Sequence, residues 1–238
     1  MNNGAKIRDI LGIRVVSSQI KQVLKRIETE IEKSDYNRPF FVVTVNSEFV
    51  MLAQDDAEFK RILNSADLAI PDGVGLKLTG IENIVPGRKV VEELLKLKVR
   101  TFYLGGKDRV AQEMAKKFGG EWDEGEENIK IQITNNNSNS NIKILNKINK
   151  YMPDLLLVAY GAPWQEKWLF ANRQKLKAKV VMGVGGTFDY LTGKARLPPV
   201  WMEKAGLEWL WRLIHEPWRW RRQLNLLRFA YKILISKS

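Results

Sequence analysis

The chain of 238 residues has no cysteine and a single histidine. Without cysteine it forms no disulfide, builds no Cys-ligated zinc site and uses no thiol nucleophile. With His215 alone, a multi-histidine metal centre is excluded, and a Ser-His-Asp triad would have to rest on that one residue. His215 stands beside Glu216 and Pro217 near a helix end, so it reads as a capping or interfacial residue rather than a catalyst. No apolar run reaches the roughly 18–20 residues that span a bilayer. Met1-Asn2-Asn3-Gly4-Ala5-Lys6 also lacks the apolar stretch of a secretory signal. The expectation is a cytoplasmic protein that touches a membrane surface without crossing it. No Asp-x-Asp pair occurs either. A diphosphate bound here would therefore meet arginine, lysine and backbone N–H groups.

Positive charge is what abounds. Lys and Arg number 39 against 27 Asp and Glu, a net charge of +12. That excess points to a polyanionic partner: nucleic acid, anionic lipid or a phosphorylated substrate. The acidic run Asp123-Glu124-Gly125-Glu126-Glu127 reads as a solvated loop, not a metal site.

Apolar strands alternate with helical periods along most of the chain. Phe40–Asn46, Ala66–Ile70, Val99–Leu104, Ile129–Ile133, Asp154–Tyr160 and Lys179–Met182 read as strands. Most of them run into glycine or a polar residue. Helices are expected from the Ser17-Ser18 cap onward, over Ser47–Asn64, Val90–Leu97, Asp108–Phe118, Ile142–Tyr151 and Trp164–Leu176. Asn135–Asn141 reads as a polar loop. This repeated order predicts an α/β fold: a doubly wound, mostly parallel, Rossmann-like sheet with helices on both faces. Residues 1–197 form its core. Residues 198–238, set off by Pro198-Pro199, form a basic amphipathic helical appendage holding five of the eight tryptophans. Pro217 splits that appendage into two helices. In the second, Trp220, Leu224, Leu227, Tyr231 and Leu234 recur at helical spacing. An anionic membrane surface and packing against the core or a second subunit fit that stripe equally well.

Ligands of such sheets bind at the carboxyl edge. Thr44 and Asn46 end one strand, and Asp72 follows another in Pro71-Asp72-Gly73. Pro-Asp-Gly is also ordinary turn chemistry, and spacing alone favours that reading. Gly105 and Gly106, and Gly185 and Gly186 with Asp189 beyond, either let a phosphate or ribose approach the backbone or simply make tight turns. Gln165 and Lys167 open a helix after Gly161-Ala162-Pro163 and are expected over the same edge as Asp72.

Together these segments resemble the WecG/TagA/CpsF glycosyltransferases of bacterial cell-surface polymer synthesis. The resemblance runs through Thr44-Val45-Asn46-Ser47-Glu48, Ala66–Gly75, Gly161–Trp168 and Gly183–Asp189. It continues through Gly206–Leu213 and Glu216–Arg222. It implies transfer of N-acetylmannosamine from a UDP-sugar donor to the 4-hydroxyl of GlcNAc on undecaprenyl diphosphate, with inversion and without a metal or other cofactor. Some members use a mannosaminuronic acid donor instead. By position it puts the base on Asp72, sugar-orienting groups on Thr44, Asn46 and Gln165, and phosphate-neutralising arginines on Arg212, Arg219 and Arg222. UDP would lie near Gly105, Gly106, Gly185, Gly186 and Asp189. The resemblance also implies a peripheral position on the inner face of the cell membrane, with the appendage closing over the site. The oligomeric state stays open, a homo-oligomer included, and nucleic acid is not an expected partner. The segment Ile84–Val90 departs from the family pattern, lacking its arginine and its Asp-Leu pair.

Overall fold

Phe40–Val45 is buried at all positions, which requires protein on both sides of the strand. The computed structural model describes residues 6–125, 139–217 and 220–236. It opens with an antiparallel hairpin, β1 (Lys6–Ile10) and β2 (Ile13–Ser17). Six further strands follow: β3 (Phe40–Val45), β4 (Leu68–Pro71), β5 (Thr101–Gly105), β6 (Glu121–Asp123), β7 (Leu155–Ala159) and β8 (Val180–Gly183). They form one parallel sheet in the order β4-β3-β8-β7-β5-β6. Being parallel, all six end at the same edge.

The helices are α1 (Ile20–Glu32), α2 (Ser47–Asp55), α3 (Ala57–Asn64), α4 (Gly87–Lys96), α5 (Val110–Phe118) and α6 (Asn139–Tyr151). Then come α7 (Trp164–Asn172), α8 (Thr187–Thr192), α9 (Val200–Lys204), α10 (Glu208–His215) and α11 (Trp220–Ser236). A 3-10 turn covers Val74–Thr79. Side chains alternate across a strand, and the two cores follow that alternation. Phe41, Val43 and Val45 join α2, α3, α6 and α7 on one face. Phe40 and Val42 join α1, α4 and α5 on the other.

Several local readings need correction. The 47–64 segment is two helices, because Asp56 leaves helical geometry and caps α3, its Oδ1 accepting from the Phe59 N–H at 2.9 Å. Ser17 belongs to β2, and Gln19 is the N-cap of α1. There the Gln22 amide oxygen accepts from the Gln19 N–H at 3.2 Å and from the Ser18 hydroxyl at 2.5 Å. Helix α7 stops at Asn172, four residues short of the expected end. Asp123 is not in a solvated loop: it ends strand β6 and pairs with Lys147 at 3.2 Å. The expected strand at 129–133 lies outside the described residues.

The final helix buries a face that the apolar stripe did not announce. Phe229 is 0% exposed and Ile233 lies with it in the core beside α2. Leu226 approaches Gly75 in the 3-10 turn. Arg228 clamps Asp55 with two bonds, 2.6 and 2.9 Å. The stripe itself faces outward: Leu227 and Leu234 are each 69% exposed and Tyr231 66%. Phe229→Ala should therefore destabilise the whole molecule by about 3–5 kcal/mol, the usual cost of emptying a buried Phe site. Urea unfolding measures this, and a cost near zero would mean that α11 is detached in solution. Among the described residues no helix is long and apolar enough to cross a membrane.

Candidate active site

Parallel register brings Thr44 level with Ile70 and Val45 level with Pro71. Asp72 then extends the pairing by one bond, its N–H donating to Val45 O at 2.7 Å. The chain next turns at Gly73, whose φ of 85° suits glycine. It returns to the edge when the Val85 N–H donates to Pro71 O at 2.8 Å. Pro86 caps α4, and Gly87 is its first residue. The Gly87 and Gly73 N–H groups favour the charged form of the Asp72 carboxyl group, which stands at the start of α4. A Cβ at Gly87 would lie 2.7 Å from the Thr44 methyl and 3.5 Å from Asp72 Oδ2. Thr44, Asp72 and Gly87 thus share one tight corner, and glycine is what lets them meet.

Asp72 is half-buried as a residue, yet its carboxyl group is set deeply enough to lose most hydration. Burial raises its pKa to about 6, opposed by the Gly87 N–H. The Glu208 charge adds to the rise, and Arg212 works against it. Both charged residues lie on α10, in the C-terminal segment. That segment is fastened beside the corner. Arg88, next to Gly87, bonds Glu92 at 2.6 Å and faces Glu203 at 3.6 Å and Glu208 at 3.8 Å. Lys89 also pairs with Glu203. The Trp211 indole N–H donates to Arg196 O at 3.0 Å.

Arg212 is delivered by this docking. Its Nε donates to the Tyr190 hydroxyl, and its guanidinium lies 4.8 Å from the Tyr190 ring centroid. A Cβ at Gly186 would sit 3.4 Å from Arg212 Nη2 and 3.5 Å from Asp189 Oδ2. Burial acts to lower the Arg212 pKa, but Tyr190, Glu216 and Asp72 outweigh it and raise it overall. The cation is thus held charged at the glycine turn after β8.

The other expected site residues fall into place less evenly. Asn46 lies against Gly73 and caps α2, its Oδ1 accepting from the Phe49 N–H at 2.9 Å. Gln165 is buried, and its Oε1 accepts from the Gly161 N–H at 3.1 Å and the Gly185 N–H at 2.9 Å. It reaches the edge as a brace between two loops. Lys167 does not join it: its ammonium is held by Asp56 at 2.7 Å and Glu58 at 2.8 Å, toward α3. One helical step rotates a side chain by about 100°, so two residues separate Gln165 from Lys167 by more than half a turn. Gly105 and Gly106 make a turn at positive φ, backed by the Tyr160 ring and Val110. Asp189 lies in the first turn of α8 with its carboxylate beside Gly186. Arg219 lies outside the described residues, and Arg222 is described only as part of α11. His215 lies against Trp211, one turn earlier in α10, ring centroids 4.0 Å apart.

Four participants escaped the sequence reading. Gly87 reads as punctuation after Pro86, yet its N–H favours the charged form of Asp72. Tyr190 and Glu208 carry no motif of their own. Glu166 is charged, so burial was not expected, but it is 0% exposed behind the Gly183 turn.

A family model described as glycosyl transferase WecG/TagA/CpsF family matches residues 8–238. Three curated relatives bear the name N-acetylglucosaminyldiphosphoundecaprenol N-acetyl-beta-D-mannosaminyltransferase. That of Bacillus subtilis (strain 168) is 33% identical over 204 residues, covering 81% of this chain and 78% of its own. That of Bacillus spizizenii is 28% identical over 230 residues, covering 92% of this chain and 87% of its own. That of Staphylococcus aureus (strain MRSA252) is 25% identical over 249 residues, covering 99% of this chain and 95% of its own.

Proposed function

Because this chain belongs to the WecG/TagA/CpsF glycosyltransferase family, we propose that it transfers N-acetylmannosamine from UDP-N-acetylmannosamine to the 4-hydroxyl of GlcNAc on undecaprenyl diphosphate. One observation carries the reading of the site: a carboxylate with pKa near 6 lies within the field of a half-buried arginine at a glycine turn. That is a base and an anion clamp side by side.

The reaction is a single displacement. The Asp72 carboxylate takes the proton of the acceptor hydroxyl as its oxygen bonds to the anomeric carbon. The bond from that carbon to the UDP oxygen breaks, and the electron pair leaves with UDP. Arg212 meets the developing negative charge from a fixed position, so little reorganisation is needed during the reaction. Thr44 and Asn46 line the Asp72 corner and orient the sugars. The family resemblance gives Arg219 and Arg222 a phosphate-neutralising role as well, and Gly185, Gly186 and Asp189 border the nucleotide. The absent Asp-x-Asp motif accords with diphosphate charge being met by arginine rather than by a metal ion.

The acceptor is a lipid, so the protein works at a membrane, on its cytoplasmic face. The exposed stripe from Trp220 to Leu234 supplies an apolar face for an anionic bilayer. Arg212 reaches the edge from within the same chain, so the reading needs no second copy. The primary test is product analysis with UDP-N-acetylmannosamine and a GlcNAc-diphospholipid. The expected product is a disaccharide-diphospholipid with inverted anomeric configuration. No transfer from this donor, but transfer from the mannosaminuronic acid donor, would reassign the substrate. In a parallel assay, Leu227→Ser with Leu234→Ser should release the protein from anionic liposomes without changing its urea midpoint. Undiminished binding would remove the stripe from the membrane role.

A further inference from the structure

Glu166 is a carboxyl group in a place that does not suit a charge. It is 0% exposed. Its Oε1 accepts from Gln165 Nε2 at 2.7 Å. Its Oε2 is buried and has no hydrogen-bond partner among the described residues. No lysine or arginine is paired with it among the described residues. The charge that reaches it, from Glu48 on α2, has the same sign. It is wedged under the end of β8, where a Cβ on Gly183 would come within 2.6 Å of Oε1. An ionised carboxylate so placed is strongly disfavoured, whereas the neutral acid is tolerable.

The bond that Glu166 does make has leverage. Gln165 Oε1 already accepts from Gly161 and Gly185 on different loops. An amide group is planar, so its Nε2 end must then point away from both. Glu166 is what that end meets. Glu166 therefore fixes the rotation of an amide that braces the turn on which Arg212 rests. We propose that Glu166, as the uncharged acid, is a positioning residue that anchors Gln165 and thereby sets the Gly185-Gly186 turn beneath Arg212. Burial pushes its pKa up to about 7, against the Gln165 bond and with the help of Glu48. This inference rests on the proposed transferase reading only for its kinetic consequence.

Glu166→Gln and Glu166→Ala test it, beside the wild-type full chain. Glutamine keeps a carbonyl acceptor for Gln165 and carries no charge. Alanine keeps neither the carbonyl nor the shape. Hydrogen exchange at the Gly161 and Gly185 amides should stay slow in Glu166→Gln and accelerate in Glu166→Ala. This readout needs no substrate, so it stands even if no sugar transfer is found. In the transfer assay, Glu166→Ala should lower kcat/KM roughly tenfold to a hundredfold, as expected when a clamp is misplaced by about an ångström. Glu166→Gln should recover most of that loss.

A pH readout separates the neutral acid from plain space-filling. A carboxyl group with raised folded pKa destabilises the protein as pH climbs from its unfolded value of 4.5 to about 7. The Tm of Glu166→Gln should therefore pull ahead of wild type over that interval and keep a constant lead above it. A Glu166→Gln variant as loose and as slow as Glu166→Ala would mean that a charged carboxylate is needed, and would overturn the proposal. So would Gly185 exchange in Glu166→Ala that matches wild type. If Glu166→Ala does not fold, Glu166→Gln decides: retained protection with the growing Tm lead supports the proposal, and loss of either refutes it.

Discussion

Asp72→Asn should lower kcat by about 10²–10⁴, the range for losing a general base, while leaving the fold and UDP binding in place. The amide is nearly isosteric and its oxygen still offers an acceptor to the Gly87 N–H, so the corner keeps its shape. What is lost is the ability to take a proton. A signature in pH accompanies this. Wild-type kcat/KM should rise with pH through a midpoint near 6, because the base must be ionised and burial has raised its pKa to about that value. The residual activity of Asp72→Asn should lack that limb. Stability should move the opposite way. A carboxyl group whose pKa rises from 3.8 to about 6 on folding weakens the folded state as pH climbs across that window. Asp72→Asn should thus melt above wild type at pH 7 and converge with it below pH 4. Turnover within threefold of wild type would remove Asp72 from the role of base.

Arg212→Ala should cost about 10²–10³ in kcat/KM, comparable to deleting one preorganised electrostatic donor. The side chain is built in: it lies over Tyr190 and beside Gly186, on a helix fastened through Arg88 to the start of α4. Removing it also removes a cation that holds the Asp72 pKa down. The acidic limb of the pH profile should therefore shift to higher pH in Arg212→Ala. Arg212→Lys should recover only part of the loss, since lysine has neither the planar face that rests on Tyr190 nor paired donors for a phosphate. A loss of activity without the shifted limb would mean that Arg212 acts on the nucleotide alone. Wild-type kinetics would refute its assignment.

The candidate site was legible where the chain itself marks a sheet edge. β3 ends in Thr44 and Asn46, and β4 runs through Pro71 into Asp72. A parallel sheet brings strand ends together whatever lies between them, so adjacency followed from pattern. Lys167 was misjudged for the opposite reason. Its neighbours are set by the rotation of α7 against α3, and two residues of helix turn it away from the edge. Glu166 was invisible because charge argues for exposure, and only packing against Gly183 put it inside. The α11 stripe from Trp220 to Leu234 was recognised, but a second face through Phe229 and Ile233 is the one that meets the core. Two apolar faces on one helix leave periodicity without a means to choose. The break at Asp56 was missed because the apolar period continues across it.

By itself, then, the sequence determined the alternation of buried strands and amphipathic helices, the edge that collects Asp72, Thr44 and Asn46, and the family. These depend on order and period, which a linear chain carries in full. The tertiary structure alone decided that Gly87 sits against Asp72 and Thr44, that Arg212 rests on Tyr190 at Gly186, and that Gln165 braces two loops from an anchor on Glu166. Each of these joins residues far apart in the chain or buries one against its chemical preference. Such contacts arise only when whole elements pack, since distance and desolvation are properties of the assembled molecule.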